Sequence, residues 1–284
     1  MSHPVSMTRF LFYLLLSVQA CFATTAFAQW PLHMEGVPML PDGTPDLNAP
    51  APRMLDGKPD LSGVWDFPFP HQSGEQGRPV GEPRQPPPGV PPYATFWDQG
   101  FGFENGLPYQ PWAREKRAER MANNGIENPD SFCLPLGHMQ FHTHPQPHEI
   151  IQSEDRLVIL YEASAGVREI YLDGRPLPPM GEPLPTWYGY SVGHWEGDTL
   201  VVQTNNFRGD GWLDFNGSPT TEQLVITERF RRVSYGRLEL DINIDDPGAY
   251  TEDFDLRVNF EIMPGDSLIE WVCENEASVQ YFSR

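Results

Sequence analysis

From His148 onward the chain alternates apolar and polar residues with a period of two, the signature of strands with one wet and one buried face. The alternation predicts strands over 149–152, 157–162, 168–172, 187–195, 199–204, 223–232, 237–245, 254–263 and 268–274. Short polar turns join most of them, among them Asp173-Gly174-Arg175, Glu196-Gly197-Asp198 and Pro264-Gly265-Asp266. An earlier apolar run, 61–67, carries Gly63-Val64-Trp65, similar to the triplet that opens lipocalin-like barrels with a tryptophan plugging one end. So many consecutive strands must close or fold over to bury their apolar faces. The predicted fold is therefore mainly β, an antiparallel meander closing into a lipocalin-like or similar β-barrel. One surface helix is predicted over 111–124, where Pro111 suits a first turn and Gly125 a stop.

The N-terminal part follows other rules. Residues 1–28 read as a signal peptide: Arg9 supplies the charge, 10–16 the apolar run and Ala26-Phe27-Ala28 the cleavage site. Met7 is an alternative start, and lipoprotein processing at Cys21 is the rival route, though Val18-Gln19-Ala20 is a poor lipobox. The apolar run is too short for an integral membrane span, so the expected location is periplasmic or secreted. Eighteen of the 31 prolines lie between Pro31 and Pro111, so residues 29–110 are expected to form a Pro-rich extended arm outside the core; 111–284 carry the helix and the barrel domain. Within the arm a unit recurs, Pro41-Asp42-Gly43-Thr44-Pro45-Asp46-Leu47 echoed by Leu55-Asp56-Gly57-Lys58-Pro59-Asp60-Leu61.

A formal charge of −20 argues against nucleic acid and anionic membrane surfaces, which need clustered basic residues. Removal of the signal peptide leaves Cys133 and Cys273, an even pair in an oxidising compartment, and these are expected to be bridged.

Candidate chemistry concentrates between Gly137 and Glu149. In an extended segment His142 and His144 face one side, and with Glu149 they make two imidazoles and a carboxylate, a set suited to zinc, iron or manganese. His138 and His148 are substitute ligands or proton shuttles. The spacing resembles a first cupin motif, but the second motif is absent. Asp241, Asn243, Asp245 and Glu252 imitate a calcium loop, yet their alternation with Leu240, Ile242 and Ile244 reads better as a strand, and Asp246 stands where that loop requires glycine. No nucleophile elbow and no phosphate loop occurs. Aromatic density on the strands suggests a small-molecule pocket, with Trp187 or Tyr188, Tyr190, His194 and Arg168 as candidate lining. Two functions follow as expectations: an exported barrel binding a small apolar or aromatic ligand, or a metal-dependent hydrolase or oxygenase using the 138–148 cluster.

Several strings resemble a large family of secreted bacterial proteins from soil and marine organisms. They are Pro59-Asp60-Leu61-Ser62-Gly63-Val64-Trp65, Gly189-Tyr190-Ser191-Val192-Gly193-His194-Trp195-Glu196-Gly197-Asp198-Thr199-Leu200-Val201-Val202, Thr227-Glu228-Arg229-Phe230-Arg231-Arg232, and Ile244-Asp245-Asp246-Pro247 with Ala249-Tyr250-Thr251. The resemblance spans about residues 56–275 and implies export but no assigned activity. The chain departs from the family in having Ser218-Pro219-Thr220-Thr221-Glu222 in place of a His-Pro-His-Ser-Glu string, and in its histidines between 138 and 148.

Overall fold

The computed structural model describes residues 33–68 and 85–273. The segment expected to be a signal peptide, part of the Pro-rich arm and the last eleven residues lie outside the described residues. Nine strands close a barrel in sequence order: β1 (Gly63–Asp66), β2 (His148–Gln152), β3 (Arg156–Tyr161), β4 (Gly166–Tyr171), β5 (Tyr190–Glu196), β6 (Thr199–Asn205), β7 (Val225–Ser234), β8 (Arg237–Asp245) and β9 (Phe254–Ile262). An all-antiparallel ring needs an even number of strands, so nine strands closing antiparallel between β1 and β9 require one parallel pair. That pair is β4 with β5, Ile170 opposite Ser191, which departs from the purely antiparallel meander read from the sequence.

The period-two pattern sets what faces inward. Leu157, Ile159 and Tyr161 of β3, Leu238, Leu240, Ile242 and Ile244 of β8, and Leu256, Val258 and Phe260 of β9 are buried. Trp65 is fully buried, its indole Nε1 donates to Leu61 O at 3.0 Å, and the Arg232 guanidinium lies 4.8 Å over its ring.

Strand 268–274 does not form among the described residues; 268–273 is irregular, with Ile269 70 % and Val272 65 % exposed. The barrel is already closed, because β1 takes the edge of β9 through Trp65–Ile262 and Asp66–Glu261, leaving no partner for a tenth strand. The arm also contributes more than expected: Leu61, Ala94, Leu107 and Tyr109 join the core. Its two repeated units fold alike, Asp42 accepting from Thr44 N at 3.0 Å and Asp56 from Lys58 N at 2.9 Å. Both are aspartate-stabilised turns, which explains the recurrence as local chemistry rather than a solenoid.

Helix α1 (Pro111–Ala122) lies on the surface with only Ala113 buried, as its charged sequence predicts. Helix α2 (His138–Thr143) is different: all six residues are buried. Its side chains meet inward-facing residues of the barrel, Phe141 lying 4.6 Å from the Tyr161 ring and His142 6.2 Å from Phe260, so α2 fills the lumen as a plug. Cys133, in the turn before α2, is bridged to Cys273 with the Cα atoms 5.7 Å apart, the pairing expected of these two cysteines. Among the described residues no helix is long and apolar enough to cross a membrane.

Candidate metal centre inside the barrel

Gly137 starts α2 at a place where no side chain fits, since a Cβ there would lie 1.7 Å from the Trp212 carbonyl oxygen. At the other end His144 is extended (ψ 145°), the conformation that the following Pro145 imposes. The six residues between are helical, so the expected pairing of His142 with His144 on one extended face is replaced by the i, i+4 pair His138 and His142.

Both imidazoles point at Glu228 of β7. Its Oε1 lies 2.8 Å from His142 Nε2 and 3.3 Å from His138 Nε2. One nitrogen from each histidine and one carboxylate oxygen lie within 4.8 Å of one another, and all three residues are buried. Glu228 is held from behind by Arg168 of β4, whose Nη1 donates to Oε1 at 3.0 Å and whose Nη2 donates to Oε2. Arg168 in turn donates from Nε to Ser191 Oγ at 3.2 Å and from Nη2 to Thr204 Oγ1 at 3.0 Å. A buried guanidinium with four such bonds is satisfied, and its planar fork fixes the carboxylate orientation.

Electrostatics follow from this enclosure. Burial works to raise Glu228, but the Arg168 charge and the two histidines outweigh it and hold the carboxyl well below its usual range. Burial, reinforced by Arg168, lowers His138 to about 3, so its ring is neutral at any ordinary pH. His142 Nδ1 and His148 Nε2 are buried without a hydrogen-bond partner, and His138 Nε2 has only its 3.3 Å approach to Glu228 Oε1, at an angle poor for a hydrogen bond. Such orphans each cost about 1–3 kcal/mol and call for a group that meets them.

The other expected ligands are placed elsewhere. His144 packs edge-on against Phe96, ring centroids 5.0 Å apart. Glu149 alternates with the buried His148 and Ile150 on β2 and faces away from the lumen, so it cannot join the histidines. His148 does face inward, against Tyr161 and Phe260, but is not one of the three converging groups. Glu228 was absent from the sequence-level candidates.

The expected ligand-lining set is also dispersed. Of Tyr188, Tyr190, His194 and Arg168, only Arg168 is fully inside. Ser191 and Gly193 are the buried positions of β5, which puts His194 outside, beside Glu196 at 3.3 Å. Tyr190 stacks on Tyr171 and accepts from Arg175 on the outer surface, and Tyr188 packs against Phe141 of the plug. The calcium-like run is strand β8, with Asp241 paired to Arg257 and Asn243 donating to Asp253 and Asp255.

The buried histidines also set an acid limit on stability. Burial lowers His148 to about 3 and His144 to about 4, whereas an unfolded histidine titrates near 6.5. Folded-state values below the unfolded one mean that the unfolded chain binds more protons as pH falls, so stability is complete above about 6.5 and is lost progressively toward 4 and 3. Each group costs up to about 1.4 kcal/mol per pH unit, roughly 2 kcal/mol at pH 5. Urea unfolding of the metal-free protein is expected to show a midpoint well below its pH 7.5 value at pH 5.0; equal midpoints would contradict the burial of these rings.

Comparison with protein-family models, with curated proteins and with solved structures finds no significant match for this chain.

Proposed function

We propose that the chain is an exported β-barrel enzyme that holds one divalent transition ion, zinc, iron or manganese, between His138, His142 and Glu228, and acts as a hydrolase or oxygenase. The observation that carries this reading is the convergence of two imidazole nitrogens on one carboxylate oxygen inside the barrel, with His138 Nε2 3.3 Å from that oxygen but outside hydrogen-bond geometry. Two histidines and one carboxylate leave positions open for a substrate oxygen, where a bound ion supplies Lewis-acid polarisation. Arg168 is a positioning residue in this scheme: it donates to both oxygens of Glu228 and fixes the plane of the carboxylate. One carboxylate balances the arginine, so a divalent ion makes the centre net positive by about two charges, and an anionic oxygen is the ligand that best completes it.

A ligand in the middle of the lumen, the other expectation, finds the space taken by α2. Metal analysis of untagged protein equilibrated with zinc is expected to give one equivalent per chain. His138→Ala and His142→Ala should each fall below about a tenth of an equivalent at the same free zinc, while His144→Ala and Glu149→Gln should bind as the parent does. Loss of zinc in the latter two with retention in the former two would return the site to the extended His142–His144–Glu149 arrangement and overturn this reading.

A further inference from the structure

A small cavity, about 10 Å³, lies against His138 and Met139 of α2. Phe207, Trp212, Leu224 and Ile226 form its deeper walls, and all four are buried. The wall toward solvent is made by Trp187, half-buried, and Arg208, whose side chain is 46 % exposed. The cavity thus lies between His138, one of the three residues of the proposed metal centre, and the side chains of Trp187 and Arg208. As it stands it has room for about one water, so any organic ligand requires this outer layer of side chains to move.

The layer is closed by exposed side-chain contacts over a loop whose backbone is anchored, Arg208 N donating to Thr186 O at 2.9 Å. The Arg208 guanidinium lies 4.7 Å over the Trp187 ring and pairs with Asp210, Nε to Oδ1 at 3.0 Å and Nη2 to Oδ2 at 2.7 Å. Exposed cation–π contacts and surface ion pairs are weak, and Gly209 and Gly211 flank Asp210 in the same loop. Because Asp210 neutralises Arg208, the rim offers no net charge to an incoming anion. A rim of this kind gives an anion no electrostatic advantage over a neutral molecule.

The walls and the floor restrict the class further. Trp187, Phe207 and Trp212 favour a planar apolar body. Beyond His138 lies Glu228, and a divalent ion held there makes that side net positive, which favours an oxygen that can carry negative charge. A phenol is neutral in water near pH 7, planar and apolar, and gives an anionic oxygen on losing one proton.

We propose that the ligand of the His138–His142–Glu228 centre is a small phenol, admitted when the Trp187–Arg208 stack swings aside. The inference rests on the metal reading for the group that meets the phenol oxygen. Binding breaks the phenol O–H bond, leaves the electron pair on the oxygen at the centre and releases the proton to bulk solvent.

The test uses the full mature chain, zinc-loaded and metal-free, titrated with phenol and with cyclohexanol by calorimetry in buffers of differing ionisation enthalpy. The expected result is release of about one proton per phenol bound by the zinc-loaded protein and none by the metal-free protein, with cyclohexanol at least about tenfold weaker. Leu224→Phe, which fills the cavity, should weaken phenol about tenfold or more with zinc content unchanged. Trp187→Ala should speed phenol association about tenfold in stopped-flow fluorescence. Zinc retained without proton release, or cyclohexanol binding as well as phenol, defeats the phenol assignment alone; failure to take up zinc defeats the metal reading and the assignment with it. Should Leu224→Phe fail to fold, the Trp187→Ala kinetics decide, and an unchanged rate counts against the gate.

Discussion

Glu228→Gln is expected to lower the unfolding free energy of the metal-free protein by about 3–5 kcal/mol, the cost of leaving a buried charge without its partner. The charge is Arg168, fully buried and bound to both oxygens of Glu228. Guanidinium does not deprotonate in proteins, so the fold cannot escape by neutralising it. An amide offers one acceptor in place of two charged ones, and His142 loses its 2.8 Å partner as well. The double variant Arg168→Met with Glu228→Gln should recover much of the loss, because the orphaned charge is gone. Urea unfolding of the two single variants and the double variant measures this directly. A Glu228→Gln effect below about 1 kcal/mol would mean that the ion pair is solvated, contrary to its burial.

The second large effect is covalent. Cys133 and Cys273 are 140 residues apart in sequence, and a loop of that length corresponds to about 5 kcal/mol of chain-entropy stabilisation, less any native strain. Cys133→Ser should lower the unfolding free energy by several kcal/mol. The loss should fall on the segment leading into α2, since Cys133 sits in the left-handed turn that ends the short helix Pro129–Phe132, just before the plug. Hydrogen exchange would show that localisation. Thiol labelling of denatured, unreduced protein lacking residues 1–28 should find no free thiol, and two per chain would refute the bridge.

The barrel was legible because each strand carries its own signal. Arg237–Asp245 alternates Leu238, Leu240, Ile242 and Ile244 with polar residues, and the structure buries those four. The parallel β4–β5 pair and the missing tenth strand were not legible, because both follow from how the ring closes, a property of the whole sheet rather than of any segment. The plug helix escaped for a related reason. His138–Thr143 is buried all round, so it has no amphipathic stripe, and six residues bounded by Gly137 and Pro145 read as a broken loop. Extended geometry then selected His144 and Glu149 as ligands, where helical geometry selects His138 and His142.

A signal for Glu228 was present in the sequence. Ile226, Glu228 and Phe230 share one face of β7, so a carboxylate stands in the apolar frame of a strand. Arg168 stands likewise between Gly166 and Ile170 on β4. One acidic and one basic residue, each in the inward frame of its own strand, imply a buried pair, and the functional centre gathers around it.

The most direct measurement is an anomalous-difference map from crystals of the zinc-equilibrated protein, recorded above and below the zinc absorption edge. The expected result is one peak inside the barrel, about 2.0–2.2 Å from His138 Nε2, His142 Nε2 and Glu228 Oε1, with Arg168 still on Oε2. A map with no peak there, while His142 Nε2 keeps its hydrogen bond to Glu228 in zinc-saturated crystals, would contradict the metal centre and leave the cluster as a polar lock between the plug and the barrel wall.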